Sequence, residues 1–535
     1  MATCGEVLVE ILENYGVDTI FGIPGVHTVE LYRGLKNSNI RHITPRHEQG
    51  AGFMADGFNR ATGKLPACFI ITGPGMTNIA TAMGQALADS IPMLVISSVN
   101  RSYHLAMGEG HLHEMPAQSS MIGNVARFSH TLLRPDELPK VLARAFAVFN
   151  SERPGPVHIE IPIDVITAPA DHINKKPFEI PHAPGPSPQA ISICIKWLKI
   201  AKRPLIAIGG GTIKAQAELI TLAEKLSAPV INTVNAKGVV PYSHPLAVGG
   251  SGSCHEVRDE LKSADLIIAV GTEFGETDYD FFFKGDIQLQ GKLIRIDIDA
   301  SQLTRNVQAD LAICSDADYA LQTINLALGD WQSGNQSGQE RAEQMRKTLQ
   351  DTRDQGYDRF FAAIREALPE VIIVGDSTQP VYYAWLHYET EKPRRYFHSA
   401  SGFGTLGYAI PAAIGAKLAT PESPVIGLIG DGAMQFTVGE LASAVEAKLP
   451  VIFLIWNNTG YGEIKRFMID ANIETIGVDI HTPNMVEIGK AFGCRATRVT
   501  NLDDLKIALI EANYQQIPTL IEVMQENFVD GYPVL

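Results

Sequence analysis

Two short segments carry residue types suited to holding a metal ion against a phosphate. Gly430-Asp431-Gly432-Ala433 closes an apolar run at 425–429, and Asn457-Asn458 closes a second one at 451–455. Read as buried strands, both end in loops at the carboxyl edge of a parallel sheet, where α/β folds bind ligands. The Asp431 carboxylate and the Asn458 side chain offer hard oxygen ligands of the kind Mg²⁺ prefers when it bridges to phosphate. Gly430 and Gly432 would let the main chain approach a diphosphate, and a helix expected over 438–448 would add oriented amides. Either piece alone is an ordinary turn. Their interval, 431 to 458, in matching strand-end contexts is what favours a joint site.

These loops need a scaffold, and the chain reads as three blocks of alternating strand and helix patterns. Apolar runs at 67–72, 93–98 and 157–163 mark the first block, which opens with an amphipathic helix at 7–15. Runs at 205–208, 230–231, 266–270 and 293–298 mark the second. The third has 371–374, 425–429, 451–455 and 519–524. A Pro- and His-rich stretch at 164–187 and a Ser/Gly/Gln-rich one at 329–344 read as linkers. The expectation is an α/β protein of three doubly wound parallel-sheet domains, 1–165, 188–328 and 350–535.

Composition narrows the function class. Of 535 residues, 59 are acidic and 44 basic, a net charge of −15, which argues against nucleic acid as a partner and leaves room for a cationic substrate. No uninterrupted apolar run is long enough to span a membrane, and residues 1–6 lack a signal-peptide pattern. Six scattered cysteines without metal spacing read as buried thiols of a reducing compartment, so a cytoplasmic location is expected.

Over essentially its whole length the chain resembles the thiamine diphosphate enzymes that include acetolactate synthases, benzoylformate decarboxylases and pyruvate decarboxylases. The resemblance rests on Gly430-Asp431-Gly432 with Asn457-Asn458, on the turn Gly402-Phe403-Gly404-Thr405-Leu406-Gly407-Tyr408, and on Arg46-His47-Glu48-Gln49-Gly50-Ala51. It implies a pyrimidine-binding first domain, a middle domain and a diphosphate-binding third domain. Asp431, Asn458 and the backbone carbonyl of Gly460 would hold Mg²⁺, with Gly430, Gly432 and Ala433 against the diphosphate. Leu406 would prop the cofactor into its bent shape, and the backbone around Gly404 and Leu406 would bind the aminopyrimidine.

Glu48, by the same resemblance, contacts the pyrimidine ring nitrogen. A carboxyl sharing a proton there favours the imino tautomer, whose nitrogen can deprotonate the thiazolium, and burial would keep that proton available. Beside Arg46 and His47, a helix-start Glu could equally make surface ion pairs. The resemblance also implies half-sites contributed by different subunits, hence a homodimer or homotetramer.

Substrate and outcome are less explicit. Gly22-Ile23-Pro24-Gly25-Val26-His27 resembles the family's loop over the reacting carbon, with Pro24 at the cofactor, Val26 at the substrate, and His27 either in the site or at a helix start. His113, in Gly110-His111-Leu112-His113-Glu114, could relay protons or sit on a mobile loop. Protonation would release an aldehyde, whereas attack on a second carbonyl would make a carboligase of the acetolactate synthase kind. Gly271-Thr272-Glu273-Phe274-Gly275-Glu276 lacks the arginines of the FAD-contacting stretch in acetolactate synthases, so FAD is not expected. Whether the middle domain binds a nucleotide stays open. Glu463 stands where acetolactate synthases have an apolar pocket residue. It could face a cation on the substrate, or turn to Lys465, Arg466 or solvent. Together with the 22–31 stretch it resembles the 5-guanidino-2-oxopentanoate (2-ketoarginine) decarboxylases of arginine catabolism. A non-catalytic cofactor-binding paralogue and an NAD-type dehydrogenase are disfavoured, the latter by the missing dinucleotide fingerprint.

Overall fold

A computed structural model describes residues 1–250 and 252–529. It contains three parallel sheets. The first runs β2-β1-β3-β4-β6-β5, from β1 (Thr19–Gly22), β2 (Arg41–Ile43), β3 (Ala67–Ile70), β4 (Met93–Val99), β5 (Phe128–Thr131) and β6 (Pro156–Pro162). The second runs β11-β10-β9-β7-β8, from β7 (Pro204–Ile208), β8 (Val230–Asn232), β9 (Leu266–Val270), β10 (Lys292–Asp297) and β11 (Leu311–Cys314). The third runs β13-β12-β14-β15-β17-β16, from β12 (Ile372–Gly375), β13 (Tyr396–His398), β14 (Val425–Gly430), β15 (Ile452–Asn457), β16 (Arg495–Val499) and β17 (Thr519–Met524). The strands β3, β4, β6, β9, β14 and β15 are buried along their whole length; β3, β9 and β14 accordingly read as unbroken apolar or glycine runs, while β4, β6 and β15 also bury Ser97, Ser98, His158, Glu160 and Asn457.

The expected α/β class of three doubly wound sheets is what the chain adopts, with local differences. The Ser/Gly/Gln-rich stretch at 329–344 is not all linker, because the helix Gly338–Asp351 begins inside it and buries Ala342, Met345 and Leu349. The helix expected over 438–448 is shorter, Glu440–Glu446, and a separate helix, Asp431–Thr437, precedes it. None of the six cysteines forms a disulfide; Cys314 is exposed and Cys254 only half-buried, so not all are core residues. Among the described residues no helix is long and apolar enough to cross a membrane.

By contacts the chain forms two units. One comprises residues 1–181, 363–378 and 398–528; the other comprises 182–362 and 379–397. In the first unit, the helix Glu48–Thr62 crosses the helix Ala409–Ala419 so closely that a Cβ on Gly57 would strike the Ala412 carbonyl and one on Gly415 the Met54 carbonyl. The crossing is pinned by a buried cluster. Arg60 Nε meets Asp56 Oδ1 at 2.6 Å, its Nη2 meets Asp89 Oδ2 at 2.5 Å, and the Tyr408 hydroxyl donates to Asp56. In the other unit, the loops after β7 and β9 meet backbone to backbone, with Gly211 against Gly271.

Candidate active site

Strand order fixes where loops can gather. In the first sheet the order reverses between β1 and β3, and in the third between β12 and β14; crevices form at such switch points. The Gly22–Thr28 loop follows β1, Ile71–Gly75 follows β3, Asp376 follows β12, and Asp431 follows β14.

At the third-sheet switch point, Asp431 is 1% exposed. Its Oδ1 accepts the main-chain N–H of Asn458 at 3.3 Å and its Oδ2 the Thr482 hydroxyl at 2.8 Å. The two loops singled out from sequence therefore touch. Burial pushes the Asp431 carboxyl above its ordinary range, and its hydrogen bonds pull the other way; a divalent cation beside it would favour its charged form. Carboxylate, amide and main-chain oxygens around Asp431, Asn458 and Gly460 make a hard donor set that fits Mg²⁺. Gly432 serves packing too: a Cβ there would come within 2.7 Å of the Tyr461 ring. Ala433 is buried one residue on.

The 402–408 turn is organised by Asp376, which the sequence reading passed over. Its fully buried carboxylate accepts the N–H groups of Gly407 at 3.2 Å and Ala409 at 2.9 Å, and burial pushes it up to about 6. The signal was present, since Gly375-Asp376 ends an apolar run much as Gly430-Asp431 does. Gln85 Oε1 takes both the N–H and the hydroxyl of Thr405, and the Thr437 hydroxyl binds the Gly407 carbonyl. Gly404 (φ +70°) opens on empty space where a Cβ would stand, and Leu406 beside it is half-buried. This leaves a cradle with an apolar prop, which fits the pyrimidine end of the cofactor.

At the first-sheet switch point, half-buried Glu48 opens the helix Glu48–Thr62, and its Oε2 accepts from Asn78 Nδ2 at 2.9 Å. It pairs with neither Arg46, which meets Glu446, nor His47, whose ring accepts from the Gln49 N–H. Gly75 lies against Glu48, and Gly73 against His113. The His113 ring stacks on His27 with centroids 5.3 Å apart. Both Nδ1 atoms are buried without a hydrogen-bond partner, and burial, with His113 nearby, holds His27 below the usual imidazole range. Pro24 is exposed, and Val26 is 68% exposed in the single chain. Gln118 Oε1 ties this corner down through the Thr72 hydroxyl and the Gly73 N–H.

Glu463 sits in the first turn of the helix Gly462–Asp470. Its side chain is 12% exposed and its Oε1 meets Arg466 Nη2 at 2.6 Å, so the cation beside it comes from its own helix. A further trio, His104, Glu109 and His111, brings ligand atoms within 4.8 Å of one another. The two rings stack at 3.8 Å and 12°, so their lone pairs run side by side rather than converging on one ion.

Comparison with known proteins agrees with this layout. Residues 2–121 match the N-terminal TPP binding domain of thiamine pyrophosphate enzymes, 191–324 the central domain, and 376–523 the C-terminal TPP binding domain. The chain is 42% identical to the "Probable 2-ketoarginine decarboxylase AruI" of Pseudomonas aeruginosa, over 97% of this chain and 94% of that protein. It is 32% identical to the "Acetolactate synthase isozyme 1 large subunit" of Escherichia coli, over 100% and 96%. A "Probable acetolactate synthase large subunit" of Methanocaldococcus jannaschii is also 32% identical, over 97% and 91%. With all three domains matched in order and relatives aligned end to end, the chain belongs to the thiamine pyrophosphate enzyme family.

Proposed function

We propose that the chain is a Mg²⁺- and thiamine diphosphate-dependent decarboxylase that converts a 2-oxo acid to an aldehyde and CO₂. Its preferred substrate would carry a cationic side chain, as 5-guanidino-2-oxopentanoate does. The bound cofactor supplies the electron sink that lets the carboxylate beside the carbonyl leave as CO₂. Asp431, Asn458 and the Gly460 carbonyl would hold the metal, and Leu406 and the Gly404 turn the pyrimidine. Glu48 would hold a proton at the pyrimidine ring nitrogen.

The observation that carries the decarboxylase outcome is the stacked His27–His113 pair. Imidazoles whose buried Nδ1 atoms lack a hydrogen-bond partner can deliver a proton to the carbon that lost CO₂, which ends the reaction as an aldehyde. The relative named for 2-ketoarginine supports the substrate class. Arg466 occupies the place expected for a substrate cation at Glu463, so a guanidinium would have to share that carboxylate.

The test is CO₂ and aldehyde release from 2-ketoarginine, pyruvate, 2-oxoisovalerate and benzoylformate. We expect 2-ketoarginine to lead and Glu463→Leu to narrow its advantage by about 10-fold or more. Preference for pyruvate, or unchanged selectivity in the variant, refutes the cationic-substrate reading. Relatives named acetolactate synthase favour carboligation as the second reading; 2-hydroxy ketone formed in excess pyruvate would establish it.

The active assembly would be a homodimer or homotetramer with sites completed between subunits. A cytoplasmic setting suits six cysteines that form no disulfide.

A further inference from the structure

The chain entering the Glu48 helix is held by one carboxylate. Glu440, at the start of the helix Glu440–Glu446, is 1% exposed. Its Oε1 accepts the N–H groups of Arg46 and His47, both at 3.0 Å, and its Oε2 is 3.1 Å from the Arg46 nitrogen. The Ser443 hydroxyl lies 2.7 Å from Glu440 Oε2 and 3.2 Å from the Thr44 carbonyl, and the Arg46 guanidinium meets Glu446 at 2.5 Å. Residues 44–47 are thus gripped by a single short helix, and Gly50 lacks a side chain where Glu440 Oε1 stands.

Arg46 and His47 precede the first helical residue, so helix formation gives their N–H groups no partner. A carboxylate on two successive amides sets the angle at which the chain enters the helix, and with it the direction in which the next side chain leaves. That next side chain is Glu48. Asn78 then completes the aim from the side.

We propose that Glu440 is a positioning residue for catalysis: its carboxylate, bound to the main chain of Arg46 and His47, directs the Glu48 carboxyl toward the cofactor. This rests on the reading of Glu48 as the cofactor's proton partner. The loop has other anchors in Ser443 and Glu446, so losing Glu440 should misdirect Glu48 more than it unfolds the domain.

The test measures kcat and KM per cofactor-loaded site, at saturating Mg²⁺, for Glu440→Ala, Glu440→Gln, Gly50→Ala and Glu48→Gln. Misplacement of a reacting group by about 1 Å costs up to about 100-fold, so Glu440→Ala and Gly50→Ala should lose about 10- to 100-fold in kcat. Substrate KM should stay within about threefold, as expected for an interaction felt in the transition state. Glu440→Gln keeps an acceptor oxygen for both amides and should stay within about fivefold of the parent. Gly50→Ala leaves Glu440 in the chain but displaces it, and carries the test if Glu440→Ala yields no folded protein. If Glu48→Gln is inactive while Glu440→Ala and Gly50→Ala turn over normally per loaded site, the positioning role is wrong, even if melting temperatures fall. If Glu48→Gln is fully active, the reading of Glu48 fails first and takes this one with it.

Discussion

Single carboxylates do much of the organising, each through a different environment. Glu48 is offered by a helix start and steadied by one amide. Glu48→Gln should retain cofactor binding and lose on the order of 100- to 10,000-fold in CO₂ release, the range that general acid–base catalysis spans. Asp431 is oriented by Thr482. Thr482→Val should weaken Mg²⁺-dependent cofactor binding by about 10- to 100-fold, as the loss of a ligand's own support does; a Mg²⁺ titration of fluorescence or activity measures it.

Asp376 makes a pH prediction. Its folded-state pKa of about 6 lies above its unfolded value of 3.8, so below pH ~4 both states carry the proton and no penalty arises. As pH rises through about 6 the unfolded state ionises first, and the folded state loses up to about 3 kcal/mol relative to low pH. Asp376→Asn should flatten that part of the stability curve, read as the difference in denaturant midpoint between variant and parent from pH 4 to 7.

Among elements, the crossing of the helices Glu48–Thr62 and Ala409–Ala419 couples fold to site. One begins with Glu48, and the other follows the Leu406 turn. Asp56 at this crossing is buried with Arg60 and Tyr408, so Asp56→Ala would leave the buried guanidinium to Asp89 and the Tyr408 hydroxyl without its acceptor. A loss of about 3–5 kcal/mol is expected in denaturant titration, the usual effect of breaking a buried pair from one side. The strands legible from sequence are mostly central ones with several apolar residues in a row, such as β3, β9 and β14. Those that escaped notice include the edge strands β2, β5 and β16, whose polar, partly exposed residues give no unbroken apolar run.

At the scale of the whole molecule, the reading requires Glu48 of one chain to serve the Asp431 loop of another. Glu48→Gln and Asp431→Asn should each be inactive, yet subunits mixed after dissociation should regain about a quarter of parental activity. Half of randomly formed dimers pair unlike chains, and each such dimer has one intact site of two. No recovery in dimers shown to be mixed would place both groups in the same chain's site.

The sequence alone determined the α/β class, the three-block order and the pairing of Asp431 with Asn458. These depend on local signals: apolar runs long enough to be strands, and Gly, Asp and Asn where strands end. Tertiary structure decided what no spacing encodes. It set the stacking of His27 on His113 from separate loops of the first domain, and the grip of Glu440 on residues almost 400 positions earlier. Such contacts arise when sheet order folds distant loops onto one edge, and a buried carboxylate there must take whichever donors the packing brings within reach.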